Sequence, residues 1–448
     1  MTEPATLPRR LGLFDATMIV MGGIIGAGIF MNPSVVARAV HSPAAILLAW
    51  IVGGVIALLG AFVYAELAVW RPSTGGQYVY LRDAYHPVVA FLYGWTLLLV
   101  TQTGGMAAVA MTFAAYFREL SGVALEARVI AVLSLLLLTV INCFGARAGS
   151  NVQSALMVTK IAAVLMLVTL GWVALGPQGS TDAMPSPDGR APSPTLAFGA
   201  AMVPVLFAYG GWQTASFVSG EMRNPARDLP RGLVIGVLGV VALYLAVNLV
   251  CLAVLGPDGL AATTTPASRV MSLALGPLGA QLIAAGIAVS TLGFLSQGML
   301  TAPRVYYAMA RDGLFFRAVG HAAKSGAPVV AVVVQGAWAC VIALSGRYEQ
   351  ILNYVVAIDA IFFGLTGAAL LAFRAKARHG MDRPHSSGVQ MPGHPITTVA
   401  FVTAFWLLAL STIVQFPRSA GIGVLILLAG IPVFLLWRRP TPSNSSGA

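Results

Sequence analysis

The sequence predicts an all-α polytopic membrane protein with twelve transmembrane helices, of which the first and sixth are discontinuous. Three observations carry this. Of 448 residues, 58% are hydrophobic and 9% charged, with a mean hydropathy of +0.84, whereas a soluble domain has about 25% charged residues. The apolar residues gather, along the whole chain, into runs of roughly the 20 residues needed to cross a bilayer. Two of these runs are broken by glycine: Gly22-Gly23-Ile24-Ile25-Gly26-Ala27-Gly28-Ile29-Phe30 and Phe207-Ala208-Tyr209-Gly210-Gly211-Trp212. Backbone in hydrocarbon must satisfy its own hydrogen bonds, so an unwound stretch survives only where it is buried or lines a cavity. Two breaks at matching depth in two halves point to a midplane site in a transporter.

Taken in order, the expected spans are 14–37, 43–69, 87–117, 128–144, 150–175, 196–220, 230–256, 277–310, 328–345, 349–373, 396–416 and 419–437. The third is long enough to tilt, and the fourth and ninth are short. Met1–Arg10 is polar, and the run after it is too long for a signal-peptide core and lacks a cleavage pattern, so no cleavable signal is expected. Gly176–Pro194, rich in Gly, Pro and Ser, reads as an exposed extracellular loop. It divides a first set of five spans (14–175) from a second (196–373). Five is odd, so the second set runs inverted relative to the first, and each set begins with a broken helix. Residues 396–437 add two spans, and 438–448 form a tail, disordered from Pro440. All of 1–448 is read as one membrane transport domain.

Charge sets the orientation. With the amino terminus in the cytoplasm, eighteen of the 26 Lys and Arg lie on the inside, Arg304 among them. Seven lie outside, and Lys160 lies within a span. The positive-inside rule then places both termini in the cytoplasm. The net charge of +11 is scattered over short loops, which fits topology and argues against a nucleic-acid partner. Glu66 reads as an interfacial residue at the cytoplasmic end of the second span. Cys143, Cys251 and Cys340 lie in apolar runs and are expected to be buried free thiols. The six histidines sit in or near loops. No metal-ligand cluster and no phosphate-binding GxxxxGK[ST] is present, so neither a cofactor nor ATP-driven transport is expected.

The chemistry of the breaks follows from helix termini. If the first span unwinds at Gly26-Ala27-Gly28, its outer half begins there with free amides and the positive end of a helix dipole. Such an end holds a carboxylate without a basic side chain, and glycine lets a ligand approach the backbone. The inner half ends in free carbonyls, as does the first half of span 6 near Phe207-Ala208-Tyr209, and these accept from an ammonium. Together they describe a site for a zwitterion, an α-amino acid. Glycines also serve close helix packing, but their pairing in matched halves favours the site. Phe207, at the edge of the second break, either closes the pocket from outside or packs.

Lys160 lies mid-span, where a charge faces the bundle interior by default. Its ammonium stands for a coupling cation, pairing with span 1 carbonyls and with hydroxyls such as that of Ser290 in span 8; a proton role stays open. Asp359, inside span 10, has three possible roles: a structural hydrogen bond in its neutral form, titration, or binding a cationic substrate group. The first is ranked highest. Tyr244 and Asn248, one turn apart in span 7, share a face that either bonds across the bundle or touches the site.

These segments resemble the amino acid–polyamine–organocation (APC) superfamily and, within it, the L-type amino acid transporter family in its prokaryotic form, over nearly the whole chain. Gly23 to Phe30 is similar to the family's span 1 signature, and Phe207 to Trp212 to that of span 6. Pro72-Ser73-Thr74-Gly75-Gly76-Gln77-Tyr78, Gly220 to Arg231, and Tyr306-Tyr307-Ala308-Met309-Ala310-Arg311-Asp312-Gly313 resemble its loops and the end of its span 8. The resemblance implies a leucine-transporter-type five-plus-five inverted repeat with two extra helices. It also implies sodium-independent exchange of amino acids by alternating access. Substrate contacts are implied at Ile24, Ile25, Gly26, Ala27, Gly28, Phe207, Ala208, Tyr209 and Gly210, with Phe207 as the aromatic gate. Lys160, with Ser290, stands where sodium-coupled relatives bind an ion. Tyr244 and Asn248 match the family's span 7 pair.

Three positions depart from the family: Ala27 where Ser is usual, Gln213 where Asn or Asp is common, and Asp359 where Asn is expected. Animal members pair with a glycoprotein through a cysteine in the span 3–4 loop. Arg118–Arg128 has none, so no disulfide-linked heavy subunit is expected, only a stand-alone carrier in a bacterial inner membrane. The favoured expectation is an exchanger of neutral L-amino acids. The alternatives are a proton-coupled symporter of amino acids, amines or polyamines, supported by Lys160 and Asp359, and a non-transporting amino acid sensor. The missing soluble signalling domain argues against the sensor. No nucleophile–base arrangement supports an enzyme.

Overall fold

The computed structural model describes residues 7–175, 194–323, 325–345, 348–385, 388–415 and 417–437. The loop expected over Gly176–Pro194 lies outside the described residues except for Pro194, as do the tail 438–448, Lys324 and Arg347. Among the described residues, regular structure is helical apart from one parallel bridge between Leu11 and Met222.

The first expected span is two helices, α1 (Leu13–Ile24) and α2 (Gly28–Val40), bent by 42° at residues 25–27. α3 (Pro43–Trp70) follows, then a short α4 (Gln77–Ala84) in the connecting loop. The third span is α5 (Pro87–Thr96), a π-helical turn at Leu97–Thr101, and α6 (Gln102–Ser121). α7 (Ala127–Cys143) and α8 (Ala146–Leu170) complete the first half. α9 (Pro194–Tyr209) stops at Gly210-Gly211, and a 3₁₀ segment Trp212–Glu221 continues it. Gly211 adopts φ 108°, a backbone state open to glycine.

α10 (Pro225–Ala262) and α11 (Pro266–Thr301) each hold one residue with non-helical backbone, Gly256 and Gly276, where one helical stretch gives way to another, at the expected end of span 7 and just before the expected start of span 8. Span 8 runs on through Ala302, itself helical, into α12 (Pro303–Arg311). α13 (Val329–Ser345), α14 (Tyr348–Arg378), α15 (Ile396–Gln415) and α16 (Pro417–Trp437) follow. Nine helical runs among the described residues have the length and apolarity to cross a membrane, or ten with the bent α1–α2 pair. α7 and α13 are shorter apolar helices at the fourth and ninth expected positions.

The largest core cluster joins α1, α2, α3, α8, α9 and α10, so both broken helices sit in the interior. One sequence expectation needs correction, and two charges are placed more closely than the sequence could place them. Glu66, near the end of α3, is buried, and its carboxylate takes Arg374 at 2.7 Å and the Met391 amide at 2.6 Å. A carboxylate lodged between helices requires such partners. Arg304, counted among the inside charges, is fully buried and paired with Glu221 at 2.6 Å. The correction falls on the cysteines, expected to be buried: all are free and Cys251 and Cys340 are buried, but Cys143, the last residue of α7, is only half-buried.

Candidate functional site

The two breaks touch. A Cβ at Gly23 would stand 2.5 Å from the Gly211 carbonyl oxygen, so the backbones of α1 and of the span 6 break pass within a contact that excludes any side chain. Across the site, Gly28 at the start of α2 packs against Ala208 near the end of α9, and Asn32 donates to the Pro204 carbonyl at 2.8 Å.

α1 caps through the Ile25 amide, which donates to Met21 at 2.8 Å. Beyond it, no backbone acceptor among the described residues takes up the amides of Gly26, Ala27 or Gly28. These are the orphan donors that begin every helix, here facing a break in the middle of a bundle. A Cβ at Gly26 would make an ordinary 3.6 Å contact with Phe294, so the glycine is not held there by crowding.

The carbonyls of the break hold internal donors. Lys160, on α8 and fully buried, sends its ammonium to the Ile25 carbonyl at 2.5 Å and the Gly22 carbonyl at 3.3 Å. Ser290, on α11, donates to the next carbonyl, Gly26, at 3.3 Å. Lys160 and Ser290 thus act on successive span 1 carbonyls and make no hydrogen bond to each other. The Tyr244 hydroxyl lies 3.0 Å from the Ile24 carbonyl and 3.2 Å from the Ala208 carbonyl, bridging the ends of α1 and α9. Asn248 spends its amide on the Tyr244 carbonyl of its own helix at 2.8 Å, and its side-chain oxygen has no partner. Each carbonyl has a second lone pair, and the Tyr209 carbonyl accepts from no backbone amide among the described residues. Phe207 is 37% exposed, beside the break rather than within the packed core.

The walls include residues that the sequence reading missed. Trp50 of α3 packs edge-on against Tyr209 and Tyr244, both at 5.7 Å. Gln297 donates to the Thr214 hydroxyl in the span 6 continuation. Gln153 packs on Gly22 with both ends of its buried amide unpartnered. It lies seven residues before Lys160, two turns along the same face of α8, and that spacing was a usable signal.

Comparison with known proteins places this arrangement. An amino acid permease family model matches residues 11–436. The chain belongs to the amino acid permease family. Within it, this permease falls with the APC superfamily's L-type transporters. It is 31% identical over 443 residues to the serine/threonine exchanger SteT of Bacillus subtilis, covering 97% of this chain and 98% of that one. It is 30% identical to the large neutral amino acids transporter small subunit 2 of Homo sapiens, over 96% of this chain and 80% of that one. It is 28% identical to the b(0,+)-type amino acid transporter 1 of Mus musculus, over 97% and 89%. The permease is a membrane protein with a transporter's family ties, and its relatives are transporters rather than enzymes.

Proposed function

We propose that this permease is a sodium-independent exchanger of neutral L-amino acids working by alternating access. The observation that carries the reading is the break itself. Amides of Gly26, Ala27 and Gly28, taken up by no backbone acceptor among the described residues, lie beside the Lys160 ammonium, which is fixed on the Gly22 and Ile25 carbonyls. The amide end suits a carboxylate. The remaining lone pairs at the end of α9, above all the Tyr209 carbonyl, suit an ammonium. A covalently tethered ammonium at the span 1 carbonyls removes the need for a sodium ion there. The relatives named as a serine/threonine exchanger and neutral amino acid transporters support exchange and this substrate class.

In this reading Ile24, Ile25, Gly26, Ala27, Gly28, Phe207, Ala208, Tyr209 and Gly210 contact substrate, and Phe207 gates it. Lys160 and Ser290 occupy the coupling-cation position. α7 and α13 cross the membrane with the other spans, giving twelve. The spans form a five-plus-five inverted repeat, 14–175 and 196–373, followed by two more. Both termini are cytoplasmic, the membrane is a bacterial inner membrane, and no heavy subunit is attached. The cysteine-free Arg118–Arg128 loop and the excess of Lys and Arg on one side support these placements.

The test is counterflow. Purified protein in liposomes, without sodium and without a pH gradient, is expected to take up labelled neutral amino acids only when the vesicles are preloaded with unlabelled ones. Equal uptake into empty vesicles would replace exchange by uniport, and uptake that requires an inward proton gradient would replace it by the symporter.

A further inference from the structure

The face that α8 turns inward carries Ser150, Gln153, Met157 and Lys160, all buried and each about one turn from the next. Asp359, the other ionisable residue read inside a span, is on α14 beside α6 and is partly exposed. Three of the four α8 residues address α1. At one end Ser150 donates to the Asp15 carboxylate at 3.0 Å. At the other, Lys160 donates to the Gly22 and Ile25 carbonyls. Between them Gln153 lies on Gly22, where an added Cβ would collide with its amide nitrogen. Neither that nitrogen nor the amide oxygen has a partner among the described residues. The seam between α1 and α8 is therefore bonded at both ends and unbonded in the middle.

α11 closes the same spot. It runs antiparallel to α8: Gly293 packs on Leu156 and Lys160, and Leu300 packs on Gly149. Ser296 lies between these two contacts on α11, as Gln153 does on α8. The spacing of Gly293, Ser296 and Leu300 also puts Ser296 on the helix face that makes them. It therefore stands opposite Gln153. Its hydroxyl, too, is buried and has no partner among the described residues. Gln297, next in sequence, is turned to Thr214. The two facing side chains do not reach each other, and both keep unmet hydrogen bonds.

A buried donor or acceptor left without a partner is costly, and native interiors meet such groups with protein or with ordered water. The chemistry selects between ligands. An amide oxygen, an amide nitrogen and a hydroxyl offer donors and acceptors together and carry no formal charge. That set suits water, which gives and takes about three hydrogen bonds in a protein interior. An ion would need a shell of one kind, all acceptors or all donors.

We propose that Gln153 and Ser296 hold an internal water between α1, α8 and α11, and that this water eases the movement of α1 along α8. The second half rests on the exchanger reading. When α1 moves, the bonds from Ser150 and Lys160 must be exchanged for others, and a water in the middle of the seam supplies a mobile partner at Gly22. A dry seam breaks those bonds with nothing in their place.

Met157 is the probe. It is buried, and its sulfur lies with the Gln153 amide beside Gly22. X-ray radiolysis of the full-length protein in detergent turns bound water into hydroxyl radicals in place, and these convert a nearby thioether to the sulfoxide. Met157 is expected to oxidise severalfold faster than Met271 and Met309, which are as deeply buried. Gln153→Leu and Ser296→Ala should each bring Met157 down to the rate of those two. Gln153→Asn, which keeps the amide on a shorter stem, should retain most of the parent rate. In counterflow, Gln153→Leu should turn over about two- to tenfold more slowly, the worth of one neutral hydrogen bond, with KM little changed. Its melting temperature should not fall, because an apolar side chain of similar size leaves no orphan group there. Equal oxidation of Met157 and the two reference methionines in the parent would overturn the proposal, as would fast oxidation that survives Gln153→Leu. Unchanged turnover in Gln153→Leu would take the water out of the movement of α1. The oxidation readout needs no substrate, so the water and the exchanger reading fail separately.

Discussion

Gly26→Ala and Gly23→Ala separate binding from folding, although the two glycines lie within one turn of each other. At Gly26 the backbone is not in the left-handed region, and an added Cβ would make an ordinary 3.6 Å contact with Phe294. The fold then gains or loses little, since Gly→Ala at a compatible site shifts stability by only about 0.4–1 kcal/mol, in the favourable direction. The methyl does, however, stand beside the amides that the exchanger reading gives to the substrate carboxylate. A hydrogen bond to a charged group is worth about 1.5–3 kcal/mol, and each 1.4 kcal/mol is about tenfold in affinity. The apparent KM for exchange should therefore rise about ten- to a hundredfold in a protein that melts, in detergent, where the parent does. At Gly23 the added Cβ would lie 2.5 Å from the Gly211 carbonyl oxygen, which is backbone and cannot rotate away. Overpacking of this kind costs about 1–3 kcal/mol, so Gly23→Ala should melt early. An unchanged KM in a stable Gly26→Ala protein would remove the α2 amide end from the substrate site. An unchanged melting point for Gly23→Ala would show that the breaks do not touch.

Four further outcomes are expected. Lys160→Ala releases the Gly22 and Ile25 carbonyls and should slow exchange at least about tenfold, roughly one charged hydrogen bond, with a smaller change in KM; normal exchange kinetics would take Lys160 out of the mechanism. Tyr244→Phe removes the hydroxyl shared by the Ile24 and Ala208 carbonyls and should cost about 1 kcal/mol, read as a lower melting midpoint together with slower exchange. Arg304→Ala leaves Glu221 buried without its partner and should cost about 3–5 kcal/mol, with most of it recovered by Arg304→Met combined with Glu221→Leu; a single variant as stable as the parent would mean that the pair is solvated. Phe207→Ala should leave melting nearly unchanged, because the ring is partly exposed, but should impair occlusion and alter turnover; unchanged turnover would make Phe207 a packing residue.

The breaks were legible because glycines cluster there, four in Gly22–Gly28 and two at Gly210-Gly211, and because 42° of bend needs residues that tolerate it. Lys160 was legible because a charge in hydrocarbon has few explanations. Gly256 and Gly276 were legible as span limits, and the backbone leaves helical geometry at both; what a glycine followed by proline does not tell is that a second helical stretch resumes at once. Side-chain partners were the least legible. The burial of Arg304 and Glu66 has no local signal, and only the long-range pairs Arg304–Glu221 and Glu66–Arg374 explain it. Nothing local to Trp50 or Asn32 signals that their partners lie more than 150 residues away, at Tyr209 and Pro204.

The distribution of these contacts bears on how the site is worked. The two broken spans are tied to each other at three depths. Asn32 reaches Pro204 at one end, Gly23 meets Gly211 in the middle, and the amides of Arg10 and Leu11 both donate to the Glu221 carbonyl at the other. Tied so, they form one body, and substrate bound at the breaks touches that body along most of its backbone. The body joins its neighbours through side chains on other helices: Lys160 from α8, Tyr244 from α10, Ser290 and Gln297 from α11, and Arg304 from α12 on the Glu221 carboxylate. A ligand shifts a conformational equilibrium only as far as it binds the two states differently. Contacts within the body persist when it moves and so set affinity, whereas the joints must be remade on each passage and so set rate. Gly26→Ala is therefore expected to act on KM, and Lys160→Ala on turnover.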